Sequence, residues 1–166
     1  AVEVRPLGGG ALEGATPAEV AAFQRSLAAA QREHASCVAR AAELLESARA
    51  MESVLERTPG ATPAIHTRVR GAIRQLRAQQ RRLSGDPVRE QANEPGPVPV
   101  ASRLGFVDLG VRLSTYGPAA SHLQALEVAN ADLAEIKVAL QGVALRDLEQ
   151  LRGELDRLGA PWTPGR

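Results

Sequence analysis

The side chains that could do chemistry are few and scattered. Three histidines (His34, His66 and His122) and one cysteine (Cys37) are the chain's nitrogen and sulfur ligands. None of the histidines has a His or Glu partner at the i, i+4 spacing that lets one helix face hold a metal ion, so no metal and no cofactor is expected. Cys37 falls inside an apolar helical stripe, where a thiol behaves as a small buried hydrophobe rather than a nucleophile. Gly8-Gly9-Gly10 lacks the glycine spacing and the lysine of a phosphate-binding loop. The carboxylates are spread over helix surfaces rather than paired in a cleft, and no serine or threonine sits in a nucleophile motif. No catalytic residue is assigned. The one constellation on which a ligand-binding or enzymatic bundle could be built is a pocket where His34, Tyr116 and His122 converge. The alternative for His34 is a hydrogen-bonded core histidine.

The second candidate is a basic strip. Residues 62–84 carry Arg68, Arg70, Arg74, Arg77, Arg81 and Arg82 and no acidic residue. Arg70, Arg74, Arg77 and Arg81 recur at helical spacing and could present one face to phosphates. No aromatic residue interleaves with them to stack on bases. The chain as a whole is balanced, with 20 basic and 19 acidic residues for a net charge of +1. Glu43, Glu46, Glu52 and Glu56 on the preceding segment, and Asp147, Glu149, Glu154 and Asp156 on the last, are placed to neutralise the strip. It reads as an interaction strip, and no nucleic-acid partner is expected.

The elements that must position these residues are helices. The 166 residues suit one domain; 44% are hydrophobic but only 2% aromatic, and Ala, Leu, Arg, Glu and Gln predominate. β-Branched and aromatic residues are too scarce to pack a sheet. The organising segment is 16–57. Val20, Phe23, Leu27, Ala30, His34, Cys37, Ala41, Leu44, Ala48, Met51 and Leu55 alternate at three- and four-residue steps, a heptad seam that buries one stripe. Thr16, Pro17 and Glu19 form a capping box with proline at the first helical position, and Pro59 ends the segment. A second helix, 62–84, opens on Thr62-Pro63 and buries Ile65, Val69, Ile73, Leu76 and Leu83. The short loop between them predicts an antiparallel hairpin.

Residues 85–101 form a proline-rich strap. Pro87, Pro95, Pro97 and Pro99 predict extended, helix-free chain, long enough to cross the bundle or wrap around it. A third helix over 102–115 turns Leu104, Val107, Val111 and Leu113 inward. A fourth over 118–143 buries Leu123, Leu126, Ala129, Leu133, Ile136 and Leu140. A last segment, 144–158, carries Leu145, Leu148, Leu151, Leu155 and Leu158; Gly142 either bends the rod or lets the helix run through. The expected architecture is all-α: an elongated antiparallel bundle of four helices, five with the last segment. Residues 1–15 are a linker in which Val2 and Val4 alternate like the end of a β-strand. Residues 159–166 are a tail that Trp162 pins down. No apolar run is long enough to span a bilayer, so no membrane insertion is expected.

Several stretches together resemble a known family. They are Ala30-Gln31-Arg32-Glu33-His34, Asn93-Glu94-Pro95 with Pro97-Val98, Leu113-Ser114-Thr115-Tyr116-Gly117-Pro118 with His122, and the closing Gly159-Ala160-Pro161-Trp162-Thr163-Pro164-Gly165-Arg166. The set is similar to the helical C-terminal region of large bacterial sortilin-like proteins with BNR-type repeats, often labelled glycosyl hydrolases. The resemblance implies an exported, multidomain parent whose β-propellers precede this segment, and it carries over no catalytic residue. The function expected from it is a non-catalytic accessory or scaffolding domain that packs on those upstream domains. The alternatives are a self-associating module that dimerises through the heptads of the first helix, and the ligand-binding bundle above. An accessory domain should keep an exposed apolar patch for its neighbour.

Overall fold

The computed structural model describes residues 14–160. The strand end expected at Val2 and Val4 and the Trp162 anchor lie outside the described residues. The fold is all-α, with no strand among the described residues. Helix α1, Pro17–Leu55, has 39 residues, so at ~1.5 Å per residue it is a rod of roughly 58 Å. Its capping box is formed: the Thr16 hydroxyl oxygen accepts from the Glu19 amide, and the Glu19 carboxylate accepts from the Thr16 amide at 2.7 Å. Bonding to the Thr16 backbone, and then to its side chain, holds the Glu19 carboxyl below its ordinary pKa. At the other end the buried Thr58 hydroxyl donates to the Val54 carbonyl at 2.8 Å, beside the Arg57 amide, which donates to the same oxygen at 3.0 Å.

Helix α2, Pro63–Ser84, returns along α1 and stops at Gly85, whose φ of 96° suits glycine. Helix α4, Val100–Leu113, follows after the strap. Helix α5, Ala120–Gly142, then runs through a π-helical stretch, Val143–Leu148, into helix α6, Glu149–Arg157. One core runs the length of the molecule, and Met51, Leu76, Leu83, Leu133, Ile136, Leu151 and Leu155 are its largest fully buried members. Each such side chain contributes about 1.5–3 kcal/mol by leaving water.

Cross-chain contacts fix the arrangement. Ala15 at the start of α1 donates its amide to the Tyr116 carbonyl at 2.9 Å. Midway along α1, Glu33 receives Lys137 of α5 at 2.6 Å. The turn after α1 lies against Leu158 at the end of α6. So α1 and the α5–α6 rod run side by side in the same direction. The C-terminal end of α2 and the start of α4 meet over Asp132 of α5, which faces Arg82 at 2.9 Å and Arg103 at 3.9 Å. Helices α2 and α4 are therefore successive halves of one returning rod, antiparallel to both others. The strap emerges at the break between these halves and re-enters beside it, instead of crossing the bundle's length. The physical reason is length: α2 with 22 residues and α4 with 14 together match α1.

Four other expectations change. Residues 87–91 are not extended: they form a short helix, α3, Pro87–Gln91. Pro87 occupies the first helical position, where its missing amide costs nothing, and Asp86 caps the Val88 amide at 3.1 Å. Leu113 and Leu123 face solvent rather than the core: Leu113 lies past the last buried position of α4, Val111, and Leu123 before the first buried position of α5, Leu126. Leu145 is also exposed. The cause is a change of frame. The buried positions of α5 are Leu126, Ala129, Leu133, Ile136, Leu140 and then Val143. The three-four alternation would next bury Asp147. The stripe of α6 is instead Leu148, Leu151 and Leu155, one residue out of step. The π-helical stretch absorbs that extra residue, keeps Leu148 inside and turns Leu145 out. The helix thus runs through Gly142 without breaking.

Candidate interaction surface

The three residues proposed to converge do not share a site. His34, half-buried on α1, directs Nε2 at the Leu83 carbonyl at 3.1 Å. A carbonyl only accepts, so Nε2 carries the proton. The bond satisfies a carbonyl of the last turn of α2 and ties the middle of α1 to the break in the returning rod. Tyr116 lies beside Ala15 at the start of α1, about 27 Å away along that helix by its rise per residue. His122 joins Tyr116 at this end only. Its Nδ1 accepts the Ala119 amide at 3.1 Å and closes the first turn of α5. Its ring covers Gly110 of α4, where a Cβ would collide with it, and meets Phe106 with centroids 5.2 Å apart. Both histidines are used to join helices. The described residues contain no group of three or more His, Cys, Asp or Glu placed to hold a metal ion.

The arginine strip is divided in the same way. Arg70 pairs with Glu52 at 3.2 Å and Arg81 with Asp86 at 3.8 Å. Arg68 reaches Glu154 at 2.6 Å, so acids of the first and last helices do meet α2. Arg74 and Arg77 are exposed and make no ion pair among the described residues. Arg82, outside the four-residue strip, is the best held of the α2 arginines, between Asp132 and Glu135 at 2.9 and 2.8 Å.

The surface that stands out is on α4. Val100, Leu104, Val107 and Val111 are buried against the core. Phe106, Leu109 and Leu113, spaced by three and four, occupy another face and are 51%, 59% and 76% exposed. Tyr116 in the following turn and Leu123 in the first turn of α5 extend exposed apolar surface at the same end of the molecule. Gly105 adds no bulk beside the stripe, and a Cβ there would meet nothing within 4 Å. The chain's entrance to α1 is fastened to this corner. A Cβ on Gly14 would stand 3.0 Å from the Tyr116 carbonyl, and one on Gly117, at φ 88°, 2.7 Å from the Ala15 Cβ. Reading residue by residue missed Phe106 and Leu109. The available signal is that α4 has more apolar residues than one buried stripe can use.

The heptad seam of α1, by contrast, is taken up by the chain's own helices, from Phe23 through Leu55. None of the described helices is long and apolar enough to cross a membrane. No family model, curated protein or solved structure matches this chain.

Proposed function

We propose that this chain is a non-catalytic helical accessory domain of a larger multidomain protein, docked on the preceding part of its own polypeptide through the outer face of α4. The observation that carries the reading is the stripe Phe106, Leu109 and Leu113, exposed on a helix whose other face is already in the core. Single exposed leucines are ordinary on a folded surface; a stripe continued by Tyr116 and Leu123 is the kind of patch a partner covers. Tethering argues for the occupant. Gly14 and Ala15 lie on the Tyr116–Gly117 turn, so whatever precedes them is delivered to the edge of this patch. A partner on a short tether is presented at an effective concentration on the order of millimolar, enough to dock through a modest surface. The resemblance to sortilin-like C-terminal regions supports an exported parent with β-propellers as that partner.

An antibody raised to the domain, used on source-cell fractions, tests the reading. The expected band is far larger than 17.5 kDa and lies in the exported fraction. A band at the size of this chain in the cytosol overturns it. Self-association is the second reading. With the α1 seam occupied, it too would use the α4 face, and a concentration-dependent dimer in sedimentation that Leu109→Asp abolishes would favour it.

A further inference from the structure

The α4 face is not the only unfilled apolar surface. On another side of the molecule, α1 and the α5 rod run parallel and leave a groove of ≈ 730 Å³ between them. That volume falls in the range of small-molecule sites, roughly 300–1,000 Å³. Its apolar lining comes from Ala29, Cys37, Leu140, Ala144 and Leu145. Leu145 stands at the rim, exposed, because the π-helical stretch rotates it off the core seam. Cys37 is buried in the lining, and desolvation of its thiol, reinforced by Glu33 and opposed by Lys137, pushes its pKa up.

The charges around this lining are unbalanced. Arg32, Arg40 and Lys137 border the groove against one acid, Glu33. Lys137 and Glu33 pair across it at 2.6 Å, and Arg40 leans on Glu43 of its own helix at 2.8 Å. Arg32 makes no ion pair among the described residues. An apolar trough with a cationic excess at its edge is complementary to an apolar chain ending in an anion. A neutral chain would leave Arg32 without a partner, and a cationic one would be repelled by it.

We propose that this α1–α5 groove binds a single-chain anionic amphiphile, an alkyl chain with a carboxylate or phosphate head, with the chain along Cys37, Leu140 and Ala144 and the head toward Arg32 and Arg40. The site is independent of the α4 docking face, so either assignment can fail alone.

The test is a fluorescence titration of the whole chain with 11-(dansylamino)undecanoic acid, below its micellar concentration. The expected result is a saturable blue-shifted emission that laurate displaces and methyl laurate does not. Ala29 is exposed, so Ala29→Trp fills the groove without disturbing the core; it should weaken binding at least tenfold with the helical circular-dichroism melt unchanged. Arg32→Glu with Arg40→Glu should weaken the acid tenfold or more. Leu109→Asp on α4 should change nothing. Bound laurate should also slow Cys37 modification by a thiol reagent. No saturable signal overturns the proposal, as does equal displacement by the methyl ester. Full binding by Ala29→Trp overturns it too, as does loss of binding in Leu109→Asp, which would move the probe to α4.

Discussion

Deleting Leu145 should leave this protein as stable as it began, whereas deleting Val138, seven residues earlier in the same rod, should cripple it. Both side chains are exposed, at 64% and 71%, so neither deletion removes buried surface directly. What differs is the frame. Without Leu145, a continuous α-helix buries Leu140, Val143, Leu148, Leu151 and Leu155, the same residues as now. The π-helical stretch has no extra residue left to absorb and becomes ordinary helix, at a cost or gain within about 1 kcal/mol. Without Val138, the continuous helix instead puts Gln141 and Ala144 where Leu140 and Val143 were. Two buried side chains at about 1.5–3 kcal/mol each give a loss of roughly 3–6 kcal/mol, before the burial of Gln141 is counted. Against a total stability of about 5–15 kcal/mol, that is a large fraction. Urea unfolding followed by circular dichroism at 222 nm measures both. Equal destabilisation by the two deletions would refute the frame-shift account of the π-helical stretch.

Other perturbations have defined outcomes. His34→Ala removes the bond to the Leu83 carbonyl and should cost about 1–2 kcal/mol in urea unfolding, with helical content unchanged. Met51→Ala opens a cavity at a fully buried position and should cost about 2–5 kcal/mol by the same measurement. Gly117→Ala forces a side chain onto a backbone at φ 88° and into Ala15; it should lower the melting temperature by several degrees, about 1–2 kcal/mol. Because burial raises the Cys37 pKa, less of the thiol is ionised in the native protein than in the unfolded chain. It should react with Ellman's reagent far more slowly than in urea, and equal rates would contradict its burial.

Much of the fold is legible in the residues because local signals and core pattern agree. The Thr16 capping box, Pro63 at a helix start and the α1 stripe each declare themselves within a few positions. What is not legible depends on relations between distant segments. That α2 and α4 form one rod follows from Arg82 and Arg103 converging on Asp132, which no short stretch encodes. The one-residue mismatch between the stripes ending at Val143 and beginning at Leu148 is written in the sequence. It is seen only when the two frames are counted against each other, since Leu145 alone fits the second stripe. Pro87 illustrates a residue with two meanings, a helix breaker inside a strap and a helix opener once Asp86 caps it. The histidines misled because residue type suggests chemistry, while position assigns both to joining helices. The α4 face is harder to read because Phe106 and Leu109 fall off the buried stripe one at a time, and Leu113, expected inside, is their exposed continuation.

If this chain is an accessory domain, the preceding part of the same polypeptide covers the outer face of α4. A photo-crosslinking amino acid placed at Phe106 in the native full-length protein, followed by mass spectrometry of the crosslinked peptides, tests it most directly. Crosslinks are expected within one polypeptide, to residues that lie N-terminal to this segment. Crosslinks joining Phe106 to a second copy of this chain, or a probe that reacts only with water, would contradict it.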